Sequence, residues 1–219
     1  MLDIIGIQQD FNDHIHPENQ VPMAAYMRDQ FEFLGIKSQE RRELSRKHLK
    51  AAKASQRIDW QGIRQLWQAE AREYQYLAVD YLRMMQAYLQ PDDLSHLREL
   101  IVSKSWWDTV DNLVKPLGHL IQRNPYLFET ILAWAEAEDL WLRRAAILSQ
   151  LTFKEKTQTV DLEQVLASNL ADEEFFIQKA IGWSLREYSK TNPSWVADYL
   201  NRHEVDLSSL ARREASKYL

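Results

Sequence analysis

The sequence contains no cysteine and little glycine or proline, and these absences exclude several classes of protein. Without cysteine, the chain has no disulfides, thiolate zinc sites or cysteine nucleophile. The five glycines stand singly, which excludes a glycine-rich phosphate loop, and with six prolines they are too few for a turn-dense all-β fold. No apolar run approaches the ~20 residues of a membrane span, and the N-terminus lacks a signal pattern. We therefore expect a soluble cytoplasmic protein with no membrane partner.

The 219-residue chain carries a net charge of −5, but its positive charge is concentrated in one segment. Residues 37–57 contain eight cations and two anions, a local charge of +6 that leaves −11 for the rest of the chain. Such a segment can contact a polyanion while the remaining surface repels it. A solvated helix face is the alternative explanation.

Apolar residues recur at helical spacing almost throughout the chain, and no stretch alternates with a period of two, which predicts an all-α fold. Pro91, Pro125 and Pro193 are 34 and 68 residues apart. Aromatic residues repeat every 33 to 35 positions at Tyr74, Trp107, Trp141 and Phe176. A period near 34 made of two helices is typical of an α-solenoid, in which neighbouring pairs bury their apolar faces against each other.

The same periodicity predicts one domain over residues 1–219, a curved stack of about six helix pairs with a concave face. Residues 1–20 are expected to be a cap or a partly ordered N-terminal arm. The predicted helices are 23–33, 38–56, 59–71, 73–89, 92–102, 105–115, 117–123, 126–137, 139–152, 160–170, 173–190, 194–202 and 207–218.

Four positions after each repeating aromatic residue the chain has a small residue, with one exception. The set is Ala78, Asp111, Ala145 and Ala180. Small residues are expected where helices approach closely, so Asp111 requires a specific explanation. Either it takes part in chemistry, or it binds water, or it simply faces solvent.

Arg144 also breaks the pattern of its helix, because a helical projection places it in the middle of an apolar stripe. A guanidinium there needs an anion, since an unpaired buried charge would cost several kcal/mol. A buried ion pair with a carboxylate and a contact with a phosphate both meet that need.

Two tryptophans lie near these charged residues in the repeat pattern. Trp107 is four positions before Asp111 and therefore shares its helix face. Trp183 is bordered by Lys179 and Arg186, an arrangement that suits a nucleic-acid surface, although tryptophan at a core margin usually only packs. Corresponding helices of a solenoid form one wall, so these side chains can face a common groove that fits a cationic ring attached to a phosphate backbone.

From about Met23 to its C-terminus the chain resembles the AlkD family of DNA alkylation repair glycosylases, which are built of HEAT-like helical repeats. The resemblance is carried by separated motifs in the same order: YMRDQFEFLGI at 26–36, ERR at 40–42, EYQY at 73–76, KSWWDTVD at 104–111, WLRRAAI at 141–147 and FFIQKAIGWSLREY at 175–188. It implies hydrolysis of the N-glycosidic bond of N3- or N7-alkylated purines in duplex DNA.

By this resemblance, Asp111 is the catalytic carboxylate that stabilises an oxocarbenium-like sugar and orients a water. The implied substrate-binding residues are Trp107, Trp183, Arg144 and Tyr26. The expected contacts with the DNA backbone are Arg41, Arg42, Lys47, Lys50, Lys104, Lys179 and Arg186. We expect a monomeric, monofunctional glycosylase that acts on double-stranded DNA in base excision repair and uses no cofactor or metal.

Two other functions are compatible with the same repeats. A non-enzymatic HEAT-repeat module could bind distorted or branched DNA, but such a protein has no reason to place Asp111 in the path of an anionic duplex. A protein-scaffolding solenoid would suit the net negative charge, but it does not predict Arg144 and the basic segment 37–57 on the groove side.

Overall fold

The computed structural model describes residues 1–219 and is entirely helical, with thirteen α-helices, five short 3-10 helices and no strand, which confirms the predicted all-α class. The α-helices are α1 (Ile4–Asn12), α2 (Pro17–Tyr26), α3 (Ser38–Lys53), α4 (Trp60–Gln68), α5 (Arg72–Met85), α6 (Leu94–Ile101), α7 (Trp107–Arg123), α8 (Phe128–Ala135), α9 (Leu140–Leu148), α10 (Thr159–Ala167), α11 (Phe175–Ser189), α12 (Pro193–Arg202) and α13 (Ser209–Ala215). The 3-10 helices span Gln86–Tyr88, Pro91–Asp93, Pro125–Leu127, Lys154–Lys156 and Ser216–Tyr218. None of the helices combines the length and the apolar character that a bilayer crossing requires.

The chain divides into two compact units, unit 1 (Met1–Leu89) and unit 2 (Gln90–Leu219). In unit 1, α3 packs between α1 and α5, and α4 packs on α5 and α1. Residues 1–20, predicted as a cap or a partly ordered arm, contain α1 and the start of α2. Ile7 and Phe11 of α1 are fully buried, and the Phe11 ring stacks on Tyr74 with 5.3 Å between centroids.

The predicted helix over 23–33 is wrong. The chain is helical earlier, in α2, which begins with Pro17 at a position where proline favours a helix start. After Tyr26 the backbone leaves the helix, and Arg28 and Asp29 both take a φ of 56°. The buried Glu73 carboxylate then accepts hydrogen bonds of 2.9 to 3.1 Å from the backbone N–H groups of residues 34–36. This long-range anchor fixes an irregular segment that local periodicity presents as helix.

Unit 2 has the layered order of a solenoid. α7, α9, α11 and α13 contact one another in sequence, while α6 packs on α7, α8 on α9 and α12 on α11. α10 lies against α8 and α9. The second helix of each successive pair therefore contributes to one continuous layer, as the period near 34 predicts.

The predicted helices 105–115 and 117–123 are a single helix, α7, which contains Pro116 in its interior. Proline usually ends or kinks a helix, but here apolar residues on both sides of it keep the helical spacing, and Leu113, Leu117 and Leu120 are all fully buried. Packing of that continuous stripe outweighs the hydrogen bond that proline removes. The other predicted helices match observed ones to within four residues at each end.

Small residues do mark close helix contacts. Ala78, Ala145 and Ala180 are completely buried, as their repeat positions predict. Between α11 and α13 the approach is closer still, because a Cβ on Gly182 would lie 2.5 Å from the Glu214 Cβ and 2.8 Å from the Ala211 carbonyl oxygen. Only glycine at residue 182 permits α13 to lie at this distance from α11.

Candidate active site

An ion pair between Asp111 and Arg144 lies at the centre of the candidate site. The Arg144 Nε donates to Asp111 Oδ1 at 2.7 Å, and Nη2 donates to Oδ2 at 2.8 Å. Their side chains are only 13% and 5% exposed. The two residues that break the sequence pattern therefore explain each other, because the mid-stripe arginine has its anion and the lone aspartate has its cation.

Three successive second helices position this pair. Asp111 is on the second turn of α7, and Arg144 is on α9, whose start is fixed by the Asp139 carboxylate accepting from the Trp141 and Leu142 N–H groups. The third nitrogen, Arg144 Nη1, donates to the Phe176 carbonyl oxygen at the start of α11. The guanidinium thus links α7, α9 and α11 and holds the carboxylate in one orientation.

Burial raises the pKa of the Asp111 carboxyl above its ordinary value, and the Arg144 guanidinium opposes that shift through its hydrogen bonds and charge. The negative charge of Asp108, one turn before Asp111, raises the pKa further. A partly desolvated carboxylate interacts strongly with a cation brought next to it. Each oxygen uses one lone pair for Arg144 and keeps another with which to accept from a water.

An aromatic cluster adjoins the Arg144 side of this pair. The rings of Trp106, Trp141 and Phe176 lie 5.1 to 5.6 Å apart between centroids, in tilted or edge-to-face pairs. The Arg144 guanidinium carbon lies 5.9 Å from the Phe176 ring centroid. The Phe176 ring therefore supplies a π-face near the guanidinium, and the other two rings pack around it.

Trp107 and Trp183, predicted to bind the lesion, are both half-buried in unit 2. Trp107 is the first residue of α7, one turn before Asp111. Trp183 lies in the middle of α11, two turns after Phe176. Both therefore belong to the layer of second helices that carries Asp111 and Arg144, and their contact with a lesion stays a prediction.

The predicted backbone contacts of unit 2 are placed as follows. Lys104 lies in the turn before α7 with a φ of 49°. Lys179 and Arg186 project from α11 to the Glu214 carboxylate of α13, at 3.0 and 2.7 Å. Both remain partly exposed, with 37% and 24% of their side-chain surface accessible.

The predicted residues of unit 1 differ in accessibility. Tyr26 ends α2 and is 72% exposed. Arg41 is buried, with Nη2 donating to Asp80 at 2.9 Å and its guanidinium 4.9 Å from the Tyr76 ring centroid, so its charge is used inside the unit. Arg42 and Lys50 are exposed, and Lys47 is exposed beside Asp10 at 2.7 Å.

Sequence reasoning missed three residues that shape the site. Trp106 is the extended residue before α7, so a helical projection does not include it, although it adjoins Trp107 in the motif. The repeat pattern gives Phe176 a position but no role in the site. Glu214 has the local pattern of an ordinary surface charge beside Lys217, and only the contact of α13 with α11 adds Lys179 and Arg186 as partners.

Comparison with known proteins relates the whole chain to one family. A family model described as "DNA alkylation repair enzyme" matches residues 7–219. A solved structure described as "Predicted DNA alkylation repair enzyme from Enterococcus faecalis" is 41% identical, with a TM-score of 0.85, and the match covers 93% of this chain and 96% of that one. No curated protein matches the sequence.

Proposed function

Because the chain belongs to the DNA alkylation repair enzyme family, we propose that it is a DNA glycosylase of the AlkD type. Its reaction is hydrolysis of the N-glycosidic bond of cationic N3- and N7-alkylated purines in duplex DNA. The observation that carries the proposal is the Asp111 carboxylate, 13% exposed and held by both oxygens in the layer of helices that also bears Trp107 and Trp183.

The proposed reaction needs mainly electrostatic stabilisation from the protein. Alkylation at a ring nitrogen makes the base cationic, so it leaves as a neutral molecule when the C1′–N bond breaks and the electron pair goes to the base. No general acid is needed for that departure. The sugar develops oxocarbenium character, which a fixed carboxylate stabilises, and a water then adds to C1′ and loses its proton to Asp111 or to solvent.

Arg144 is a positioning residue in this scheme. It keeps Asp111 ionised and aimed, and three of its five N–H groups are used by Asp111 and the Phe176 carbonyl. With 5% of its side chain exposed, Arg144 has at most its two remaining N–H groups for a phosphate oxygen. Trp107 and Trp183 supply π-faces for the positive charge shared by base and sugar, each contributing about 0.5–2 kcal/mol according to desolvation.

The DNA backbone contacts in the proposal are electrostatic. We assign them to exposed or partly exposed cations and leave out Arg41, whose guanidinium is already paired with Asp80. In unit 1 they are Arg42, Lys47 and Lys50, with Tyr26 as a neighbouring aromatic contact. In unit 2 they are Lys104, Lys179 and Arg186.

The test is release of methylated bases from duplex DNA, followed by chromatography, with Asp111→Asn beside the parental protein. The proposal expects most of the excision to be lost from a protein that still folds. The unfolding temperature should fall, because Arg144 loses its buried counter-charge. Duplex affinity should be equal or higher, because a negative charge near phosphates is removed. Asp172→Asn is the matched control, because it breaks another ion pair of unit 2, with Arg143 at 2.9 Å, and should keep excision. Release at the parental rate by Asp111→Asn means that Asp111 is not the catalytic group. No release by the parental protein itself contradicts the glycosylase proposal and leaves the non-enzymatic DNA-binding module as the better account.

Lys115, one turn after Asp111 on α7, requires a separate test of the monofunctional part of the proposal. A lysine that attacked C1′ would form a Schiff base that borohydride reduces to a stable protein–DNA adduct. We expect no adduct and an intact abasic strand. An adduct that disappears in Lys115→Met would make the protein a bifunctional glycosylase.

A further inference from the structure

We propose that Lys179, Arg186 and Lys217 form one binding site for a phosphodiester group of duplex DNA, and that Glu214 is the positioning residue that holds these cations together. The inference rests on the proposed function and deepens it by assigning a part of the DNA to a named site. It adds two residues, Glu214 and Lys217, that neither the repeat pattern nor the motifs indicated.

Three cationic side chains converge on the carboxylate of Glu214. Glu214 lies on α13, and its side chain is only 9% exposed. Oε1 accepts from Lys179 Nζ at 3.0 Å, while Oε2 accepts from Arg186 Nη1 at 2.7 Å and from Lys217 Nζ at 2.8 Å. The cations themselves stay accessible, with Lys217 the most exposed at 47%.

The charges of this cluster do not balance. Hydrogen bonds from Lys217 and Lys179, with the charge of these two lysines, lower the pKa of the Glu214 carboxyl to about 2, so it is ionised at neutral pH. One carboxylate offsets one of three positive charges, and a net charge of about +2 remains within hydrogen-bond reach of solvent. A purely structural ion pair needs only one cation, whereas an arginine and two lysines converging on one point suit the oxygens of a phosphate.

The backbone places this cluster beside the proposed lesion-binding residues. Gly182 allows α13 to approach α11 so closely that the Glu214 Cβ is fixed against that helix. Phe176, Lys179, Trp183 and Arg186 are spaced three, four and three positions apart, so they form one stripe along α11. A phosphate held by Lys179 and Arg186 therefore lies on the same helix face as Trp183, within about one turn of it.

The experiment measures affinity for an undamaged DNA duplex as a function of salt concentration. Lys217→Met removes one exposed cation of the cluster, and Lys190→Met is its matched control, since Lys190 is 45% exposed and pairs with Glu187 instead. The proposal expects Lys217→Met to weaken binding to all duplexes and to lower the salt slope by about one. The deficit relative to the parental protein then shrinks roughly three- to fourfold between ~50 and ~200 mM salt. Lys190→Met should keep the parental slope.

The variant Glu214→Gln tests whether Glu214 positions the three cations or only lowers the net charge of the cluster. If the cluster acted only through its net charge, removing the carboxylate would strengthen DNA binding. Glu187→Gln, on the neighbouring helix α11, gives the size of that effect. The proposal expects the opposite for Glu214→Gln, because the three cations repel one another and lose their fixed positions. Thermal unfolding followed by circular dichroism checks both variants, and if Glu214→Gln does not fold, Lys217→Met alone decides the outcome.

The failures of the two proposals are distinguishable. A Lys217→Met slope equal to that of Lys190→Met, or tighter binding by folded Glu214→Gln, overturns the phosphate site while leaving base excision by Asp111 unaffected. A parental protein that binds no duplex at any salt concentration overturns both.

Discussion

Replacing Arg144 with methionine tests whether the charged pair holds Asp111 as described. Methionine keeps much of the length of the side chain and removes its charge, so Asp111 remains buried without a cation. Removing one partner of a buried pair costs about 3–5 kcal/mol of unfolding free energy. At about 2–4 °C per kcal/mol for a chain of this size, the unfolding temperature at neutral pH should fall by roughly 10 °C.

The loss of unfolding free energy in Arg144→Met should also depend on pH, because it leaves the Asp111 carboxyl without its cation. Burial already raises the pKa of Asp111 above 3.8, and Arg144 opposes the shift, so in Arg144→Met the pKa of the folded state rises further. The folded state then binds a proton more tightly than the unfolded state does. The stability of the variant is therefore greatest below the unfolded pKa and is lost as pH rises through the raised folded pKa. Its deficit relative to the parental protein should shrink as pH falls from neutral towards 5.

The assay is urea unfolding of the whole chain followed by tryptophan fluorescence, at neutral pH and near pH 5. Arg143→Met, which removes the more exposed neighbouring ion pair with Asp172, should lose less stability. Adding Asp111→Asn to Arg144→Met should recover most of the loss, because the neutral amide needs no cation. Two results would refute the reasoning. One is an unfolding free energy of Arg144→Met within about 1 kcal/mol of the parental value, and the other is a double variant no more stable than Arg144→Met.

Two further predictions follow from the same structure. Lys47→Ala with Lys50→Ala should weaken binding to all duplexes alike and lower the salt slope by up to about one unit per lost phosphate contact, as measured by salt titration, and an unchanged slope would assign this face of α3 to solvent. Excision should decline as pH falls through the pKa of Asp111, beginning at a higher pH than for an ordinary aspartate because burial raises that pKa; a pH–rate profile on methylated duplex that is flat down to pH 4 would contradict this.

The sequence was sufficient to single out the central pair but not to join its members. Asp111 stood where the repeat has alanine, and Arg144 stood within an apolar stripe. Because the two are 33 residues apart in a repeat near 34, they fall on adjacent second helices, and a buried charge needs an opposite charge. A phosphate or another carboxylate satisfied the same requirement for Arg144, so the pairing with Asp111 comes from the structure alone.

Other parts of the molecule depend on contacts that no local pattern carries. The buried Glu73 anchors residues 34–36 from a distant helix, so the irregular backbone after Tyr26 could not be distinguished from a continuing helix. Glu214 has its role only because Gly182 admits α13 against α11. Trp106 precedes its helix in an extended conformation, so an analysis based on helical periodicity passes over it.

The most direct measurement of the central claim compares base release from otherwise identical duplexes that contain 7-methylguanine, a larger N3- or N7-adduct, or hypoxanthine. In the proposed mechanism no general acid is required and Asp111 acts by charge, so the rate depends on the positive charge of the lesion itself. We expect the parental protein to release both cationic bases and not hypoxanthine, and we expect Asp111→Asn to release almost none of the three. Efficient excision of hypoxanthine, or equal release of 7-methylguanine by Asp111→Asn, would contradict the account.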